Sequence, residues 1–383
     1  MKFRDVQLQT FRNHVATKLK CAPGRNVFFG NNGEGKTNIL EAISYLCLTK
    51  SFYASSDSTA VQFGESGFAV SANAVSDIDV SYRIDVSYVK EAKEKRIAIN
   101  NGIIDDKPSV IGMFPVVVLS PENANVTSGT PADRRRFIDV VISQSNKTYL
   151  QDLIEYRRIL RQRNRVLFEA KAGQRVSQDL LEPWNENLIK RGSQISQRRA
   201  QFVREFSPYL VDAYTTIAGS EEQPSIVYDS SIKFDPLRSP EQIQSVFRRE
   251  LEEQRVEEQK LGTTLVGPHK DELVFEINGL GIKAFASQGQ HKTFLVALKI
   301  AEFYFLRERC QETPVLLLDD VFSELDEPRS EKLLALTANL GQTFITATDE
   351  QRFTSVSNRE NGLAKYYVCK GKVTFAKPET FRN

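Results

Sequence analysis

Hydrophobic positions in the first 130 residues fall into short runs at strand spacing. "KFRDVQL", "VATKLKC" and "NVFFG" are rich in β-branched and aromatic residues, and "NILEAISYLCL" after them suits a helix from about Thr37 to Leu48. "GFAVSANAV", "VSYRIDVSYV" and "KRIAIN" follow as further strands, separated by turn signals such as Asn101-Gly102. "FPVVVLS" is a short continuous apolar run, the pattern of a strand buried on both faces. Around Pro131 the character changes. From "ADRRRFIDVVIS" to about Tyr214 the chain is helix-compatible, with a break near "EAKAGQR" and Pro183. Leu153, Leu160 and Leu167 recur every seven residues, with Leu150 and Ile154 alongside, and this predicts a seam against another helix. "WNENLIKRGSQISQRRAQFVREFSPYL" is the candidate partner, giving an antiparallel helical hairpin. Strands return from about Ser225. The end alternates helix and strand through "SQGQHKTFLVALKIAEFYFLRER", "PVLLLDD", "PRSEKLLALTANL" and "QTFITATD", as in a parallel sheet. The expected organisation is a core formed by 1–130 and 260–383, flanking a mostly helical insertion at 131–259.

Composition narrows the class without naming a partner. Hydrophobic residues make up 40% of the 383, enough for a substantial core, and 51 basic residues nearly balance 49 acidic ones. Cys21, Cys47, Cys310 and Cys369 are widely spaced and show no metal-ligand pattern, which reads as isolated thiols in a reducing compartment. The start "MKFRDVQLQTFRN" carries charges throughout, and no stretch approaches the ~18 apolar residues of a membrane span. A cytoplasmic protein is the expectation.

Candidate chemistry begins at Gly30-Asn31-Asn32-Gly33-Glu34-Gly35-Lys36-Thr37, followed by Asn38. The spacing G-x-x-x-x-G-K-T between a strand and a helix is that of a phosphate-binding loop. Its glycines let the backbone turn so that N–H groups converge on an anion at the helix N-terminus. Lys36 would reach the β- and γ-phosphates of a nucleoside triphosphate, and the Thr37 hydroxyl would hold Mg²⁺. "PVLLLDD" supplies a second half. Asp319, at the end of an apolar strand, suits a Mg²⁺ ligand, and Asp320 is placed to orient or deprotonate an attacking water. Read by itself, Ser287-Gln288-Gly289-Gln290 is a helix-start signal.

The order phosphate loop, S-x-G-Q, hhhhDD and "SELD" is similar to the ABC-type ATPases of the SMC kind. "LQTFRNH", "GNNGEGKTNILEAI", "SPENANVTSGTPADRRRFID", "LVGPHKDEL", "FASQGQHKTFLVALKIAE", "LLLDDVFSELD" and "QTFITATD", in that order from about residue 3 to 350, narrow the resemblance to the RecF family of bacterial DNA replication and repair proteins. The resemblance implies an α/β fold, an ABC-type ATPase head with a mixed sheet and a parallel P-loop core, plus a helical-hairpin insertion. It also implies ATP-dependent binding to double-stranded DNA near gaps and junctions, homodimerisation with ATP, weak hydrolysis, and work with RecR and RecO in loading RecA. Under it Ser287, Gly289 and Gln290 contact the γ-phosphate held by the opposite subunit, and Ser323 to Asp326 face the dimer. Arg12 and Asn13 lie near the nucleotide.

This sequence departs from the family pattern in places. Asp349 stands where many ABC ATPases have a histidine, as in other RecF-like chains, consistent with slow hydrolysis. Asn123 replaces a frequent Asp, and Lys270 and Glu272 replace Arg and Asp. Between Arg134 and Arg204 there are sixteen basic and seven acidic residues, so this segment is far more basic than the chain, whose net charge is +2. Arg157, Arg161 and Arg165, four apart, would form one helical stripe. Such a stripe is either an ordinary solvated face or a surface that neutralises DNA phosphates without reading sequence, and the resemblance favours the second. His14, His269 and His291 have no ligand spacing and are assigned no catalysis. Three other readings compete: a transporter-energising ABC ATPase, a small-molecule phosphotransferase and an SMC-like structural ATPase. The arginine-rich insertion and the missing histidine oppose the first, and the shortness of the insertion opposes the third.

Overall fold

Ten residues with an uneven alternation of buried and exposed side chains form the first strand, β1 (Lys2–Phe11), which pairs antiparallel with β2 (His14–Lys20). The structure, a computed structural model, describes residues 1–52, 56–172, 180–219, 221–235, 239–323, 325–348 and 363–375. The chain continues through β3 (Arg25–Phe29), α1 (Lys36–Leu48), β4 (Gly67–Val75), β5 (Ser81–Val89), β6 (Glu94–Ile99), β7 (Gly102–Ile103) and β8 (Val116–Leu119). Next come α2 (Ala124–Ser128), α3 (Pro131–Ser145), α4 (Lys147–Lys171), α5 (Glu182–Ala218), β9 (Pro224–Asp229), α6 (Pro240–Glu253) and α7 (Arg255–Leu261). It ends with β10 (Glu272–Ile277), β11 (Leu280–Gly281), α8 (Ile282–Phe285), α9 (Gln288–Cys310), β12 (Val315–Asp319), α10 (Glu327–Thr337), β13 (Thr343–Ala347), β14 (Leu363–Cys369) and β15 (Lys372–Phe375).

These elements form two compact units. The first comprises Met1–Ala124, Thr216–Gly219 and Lys292–Asn383. It holds an antiparallel sheet of order β2-β1-β4-β5-β6-β7 and a second sheet of order β15-β14-β3-β13-β12-β8, parallel from β14 to β8. Helix α1 packs against strands of both sheets, and Ile39, Leu40, Ile43 and Leu46 are buried in a core that both share. β3, β8, β12 and β13 are buried along their full lengths, the pattern expected for β8 from its unbroken apolar run and general to parallel strands covered on both faces. This is the α/β class expected from the sequence.

The second unit comprises Asn125–Thr215 and Ser220–His291. Its limits differ from the expected 131–259 because β9 and β10 pair antiparallel, Glu272 opposite Asp229. That pairing ties 260–291 to the helices that precede it, and hydropathy alone carried no sign of it.

α4 and α5 are antiparallel, as anticipated: Asp152 meets Arg191 at 2.7 Å, Arg163 meets Asn185 at 2.8 Å, and Tyr149 meets Arg199 at 3.1 Å. Pro183 sits in the first turn of α5, where its missing N–H costs nothing. The seam differs from the heptad reading. The buried side of α4 is Leu153, Tyr156, Ile159, Arg163 and Leu167, whereas Leu160 is half-buried and Ile154 is 43% exposed. Tyr156 and Arg163 lie three residues after Leu153 and Leu160, at the second inward position of the same seven-residue repeat, so an aromatic and a charged side chain complete the seam that the leucines begin.

Arg163 is 3% exposed and is satisfied by Glu258 at 2.6 Å, Thr264 at 2.8 Å and Asn185. Arg199, equally buried, bonds Asp139 at 2.8 Å and the Pro268 carbonyl at 2.6 Å. Removing one partner from such a pair leaves an uncompensated buried charge. Arg134 binds Glu272 through two hydrogen bonds of 2.8 and 3.0 Å, so the first arginine of the "RRR" run is structural and Glu272 accepts the fork as an Asp would. Asn123 likewise fulfils a cap: its Oδ1 accepts the Ser120 N–H at 2.9 Å. Among the described residues no helix is long and apolar enough to cross a membrane.

His269 donates from Nε2 to the Thr264 carbonyl at 3.1 Å, so Nδ1 accepts the Tyr156 hydroxyl at 2.7 Å. Burial, reinforced by Lys270, Arg135 and Arg163, lowers this imidazole to about 4. In the unfolded chain it takes up a proton near 6.5, so the unfolded state binds more protons between these values and stability falls as pH drops from 6.5 to 4. His269→Gln should make that loss shallower by about 2 kcal/mol, read as the difference in urea unfolding free energy between pH 7 and pH 4.5.

Candidate nucleotide-binding site

β3 delivers the chain to Gly30 at the C-terminal edge of the parallel sheet, and α1 leaves from Lys36. The turn between them depends on glycine. A Cβ on Gly30 would lie 2.3 Å from the Val368 carbonyl oxygen, and Gly35, the N-cap of α1, has φ 107° with Asn13 Oδ1 2.4 Å from where its Cβ would be. Lys36 is buried and its Nζ donates to the carbonyls of Gly30 at 2.6 Å and Asn31 at 2.8 Å, across the mouth of its own loop. Burial lowers its pKa, opposed by the carboxylates of Asp320, Asp319 and Glu34.

The second half of the site meets the first through one carboxylate. Asp319 Oδ1 accepts the Thr37 hydroxyl at 2.8 Å and the Thr346 hydroxyl at 2.7 Å. Thr346 lies on β13, the strand between β3 and β12, and is in register with Asp319 on one side and Phe28 on the other. Its hydroxyl oxygen also accepts the Asp320 N–H at 2.8 Å, holding Asp320 with φ 49°. Burial raises the Asp319 pKa, and Asp320 adds to this, while the two threonine hydroxyls and Lys36 act against it. A threonine hydroxyl and a carboxylate within one hydrogen bond of each other are a hard-oxygen pair of the kind Mg²⁺ takes alongside phosphate oxygens. The donor set therefore fits a magnesium-bound triphosphate.

Asn13 joins this group: its Nδ2 donates to the Glu34 carbonyl at 2.9 Å, and its Oδ1 accepts Asn38 Nδ2 at 2.8 Å. Arg12 engages Glu41 of α1 through Nε at 2.8 Å and Nη2 at 2.7 Å, and donates to the Thr59 carbonyl at 2.8 Å. The signature residues belong to the second unit. Ser287 N–H donates to Gln290 Oε1 at 2.8 Å and Gln290 N–H to Ser287 Oγ at 3.2 Å, the reciprocal pattern of a capping box opening α9. Asp349 and Glu324 lie outside the described residues, while Asp326 caps α10 by accepting the Arg329 N–H at 3.1 Å. Sequence reasoning passed over Thr346. Its only signal was a threonine in "ITATD", and the pairing that makes it matter spans the sheet.

Comparison with known proteins decides the family. The RecF/RecN/SMC N terminal domain family matches residues 2–369. The DNA replication and repair protein RecF of Chloroherpeton thalassium is 40% identical over 365 residues, covering 94% of this chain and 99% of the relative. That of Salinibacter ruber is 40% identical, covering 94% and 88%. The solved structure of the recombination mediator protein RecF-ATPrS in the RecFOR pathway superposes with TM-score 0.90 at 30% identity, over 98% of each chain, and that of RecF-ATP with 0.89. This chain belongs to the RecF family.

The arginine stripe of this RecF-family chain is solvent-facing. Arg157 is 59% and Arg165 77% exposed, and Arg161 is exposed between them. Arg157 reaches the buried Asp139 carboxylate at 2.9 Å, which it shares with Arg199, whereas Arg165 touches Glu169 at 3.1 Å in an exposed pair of the kind that holds a guanidinium weakly. Arg163, in the same run, faces inward, so the stripe is narrower than the arginine count implied.

Thr346→Val keeps the shape of β13 and removes one donor from a buried carboxylate. It should cost about 1–3 kcal/mol of unfolding free energy without nucleotide, measured by urea denaturation.

Proposed function

We propose that this chain is an ATP-gated DNA-binding protein of recombinational repair, complete only as a dimer. The observation that carries the reading is the 2.8 Å hydrogen bond from Thr37 to Asp319, which brings a phosphate-loop hydroxyl and a strand-end carboxylate to one point. The RecF relatives solved as RecF-ATP and RecF-ATPrS support the choice of nucleotide. Backbone N–H groups of residues 30–37 cradle the phosphates at the positive end of α1, and Lys36 turns from the Gly30 and Asn31 carbonyls onto the β- and γ-phosphates. Bound Mg²⁺ neutralises charge on the phosphate oxygens. Thr37 and Asp319 would hold it, with Thr346 orienting Asp319, and Asp320 would position water for a weak ATPase. Ser287, Gly289 and Gln290 of one copy complete the site of the other, adding a second helix N-terminus on the far side of the triphosphate.

In this reading the dimer grips duplex DNA beside single-strand gaps, in the cytoplasm, and acts with RecO and RecR to help load RecA. The exposed Arg157, Arg161 and Arg165 contribute phosphate contacts, which confer affinity without sequence preference.

Sedimentation with and without a non-hydrolysable ATP analogue tests the dimer. The parent chain should shift to twice its mass, Ser287→Arg should bind the analogue but remain monomeric, and Lys36→Ala should neither bind nor dimerise. A parent chain that stays monomeric when saturated with analogue and duplex would sink the proposal. Replacing Arg157, Arg161 and Arg165 together by Glu should weaken binding to all duplex sequences alike and reduce the slope of log K against log salt by about 2–3. An unchanged slope removes the stripe from the DNA surface.

A further inference from the structure

Two hairpin turns, both outside the phosphate loop's own strand and helix, close on that loop. One joins β14 to β15. Its Gly371 N–H donates to the Glu34 carbonyl at 3.0 Å, and the Lys370 N–H donates to the Glu34 carboxylate. The other joins β1 to β2. Asn13 Nδ2 donates to the same Glu34 carbonyl at 2.9 Å, and His14 Nε2 donates to the Gly35 carbonyl at 3.0 Å. The turns also interlock: a Cβ on Gly371 would lie 2.1 Å from the Asn13 carbonyl oxygen, and Thr17 Oγ1 is 3.2 Å from the Gly371 carbonyl and 2.9 Å from His14 Nδ1. His14 is completely buried. Because a carbonyl oxygen only accepts, its Nε2 carries the proton, and burial lowers its pKa and favours this neutral form.

These bonds fix more than the loop's position. In a trans peptide the C=O and N–H point in opposite directions. Pinning the Glu34 carbonyl aims the Gly35 N–H, and pinning the Gly35 carbonyl aims the Lys36 N–H, in each case away from the clamp. Those two N–H groups open α1, where a helix has donors without intrahelical acceptors and the dipole is positive.

We propose that His14 and the Lys370–Gly371 turn are positioning elements for the phosphate loop, which orient the Gly35 and Lys36 N–H groups toward the bound triphosphate. The inference rests on the nucleotide reading of the site. It adds that triphosphate affinity is set partly by a side chain and a turn that do not touch the nucleotide. Asn13 links the two turns, its amide on the Glu34 carbonyl and its backbone against Gly371, while the Thr17 hydroxyl donates to His14 Nδ1 and so fixes the tautomer, and a disturbance at either reaches the same two peptide planes.

The test measures equilibrium binding of a fluorescent ATP analogue, with thermal unfolding of the same samples in its absence. His14→Leu removes the donor to Gly35 and should weaken binding about tenfold. His14→Gln, whose amide also presents an N–H, should recover part of that loss. Gly371→Ala should weaken binding at least as much, since its Cβ would displace the Asn13 carbonyl and its φ of 72° disfavours alanine. Parent-like affinity in His14→Leu and Gly371→Ala overturns the clamp, as does equal loss in His14→Leu and His14→Gln at unchanged unfolding temperature. Thr17→Val, nearly isosteric, carries the test where His14→Leu does not fold: it should bind about threefold more weakly, and parent-like affinity overturns the clamp. A parent chain that fails to bind the analogue refutes the nucleotide reading itself, an outcome distinct from equal binding by parent and variants.

Discussion

A single buried carboxylate joins the two halves of the candidate site. Asp319 Oδ1 receives hydroxyl hydrogens from Thr37 at the start of α1 and from Thr346 on β13. Those groups lie on three different elements: β12, α1 and β13, the strand between β3 and β12. The carboxylate is desolvated, which raises its pKa, and two donors on one oxygen offset part of that penalty. The parallel sheet explains how the groups meet. Strands running the same way place their C-terminal ends along one edge, so a loop after β3 and a carboxylate ending β12 converge though 282 residues separate Thr37 from Asp319.

Around that junction the phosphate loop is held on its carbonyl side. Turns at Asn13–His14 and Lys370–Gly371 supply the donors, and Gly30 packs against the Val368 backbone. The loop is thus gripped by strands drawn from both sheets of the first unit, which share a core around α1. The second unit handles charge differently. Its arginines divide into buried ones with fixed carboxylate partners, such as Arg163 with Glu258 and Arg199 with Asp139, and exposed ones such as Arg161 and Arg165. The buried arginines confer structure at a desolvation cost, and only the exposed ones are available to an anionic partner.

Much of this was legible in the linear order of residues. Local patterns carry local physics: apolar runs predicted β3, β8 and β12, the alternation of helix and strand near the end predicted β13, and G-x-x-x-x-G-K-T marked a tight glycine turn before a helix. The blocks that resemble the RecF family were legible too, because they preserve order and spacing across most of the chain. The helix start at Ser287 to Gln290 was legible as well, and the structure adds the reciprocal bonds between Ser287 and Gln290 that open α9.

What stayed hidden depends on contacts distant in sequence. Thr346 looks like any strand threonine until β13 is set between β3 and β12. His14 has no ligand spacing, and only the packing of the first strands against the loop brings its Nε2 to Gly35. Arg163 and Arg165 are indistinguishable by residue type, yet helix rotation buries one against Glu258 and leaves the other in water. The pairing of β9 with β10 likewise moved the edge of the second unit, since hydropathy records whether a strand forms and not which strand it joins. Residue type and spacing dictated each element and its chemistry; the partners of each polar group were chosen by the folded arrangement, because hydrogen bonds are satisfied by proximity in space.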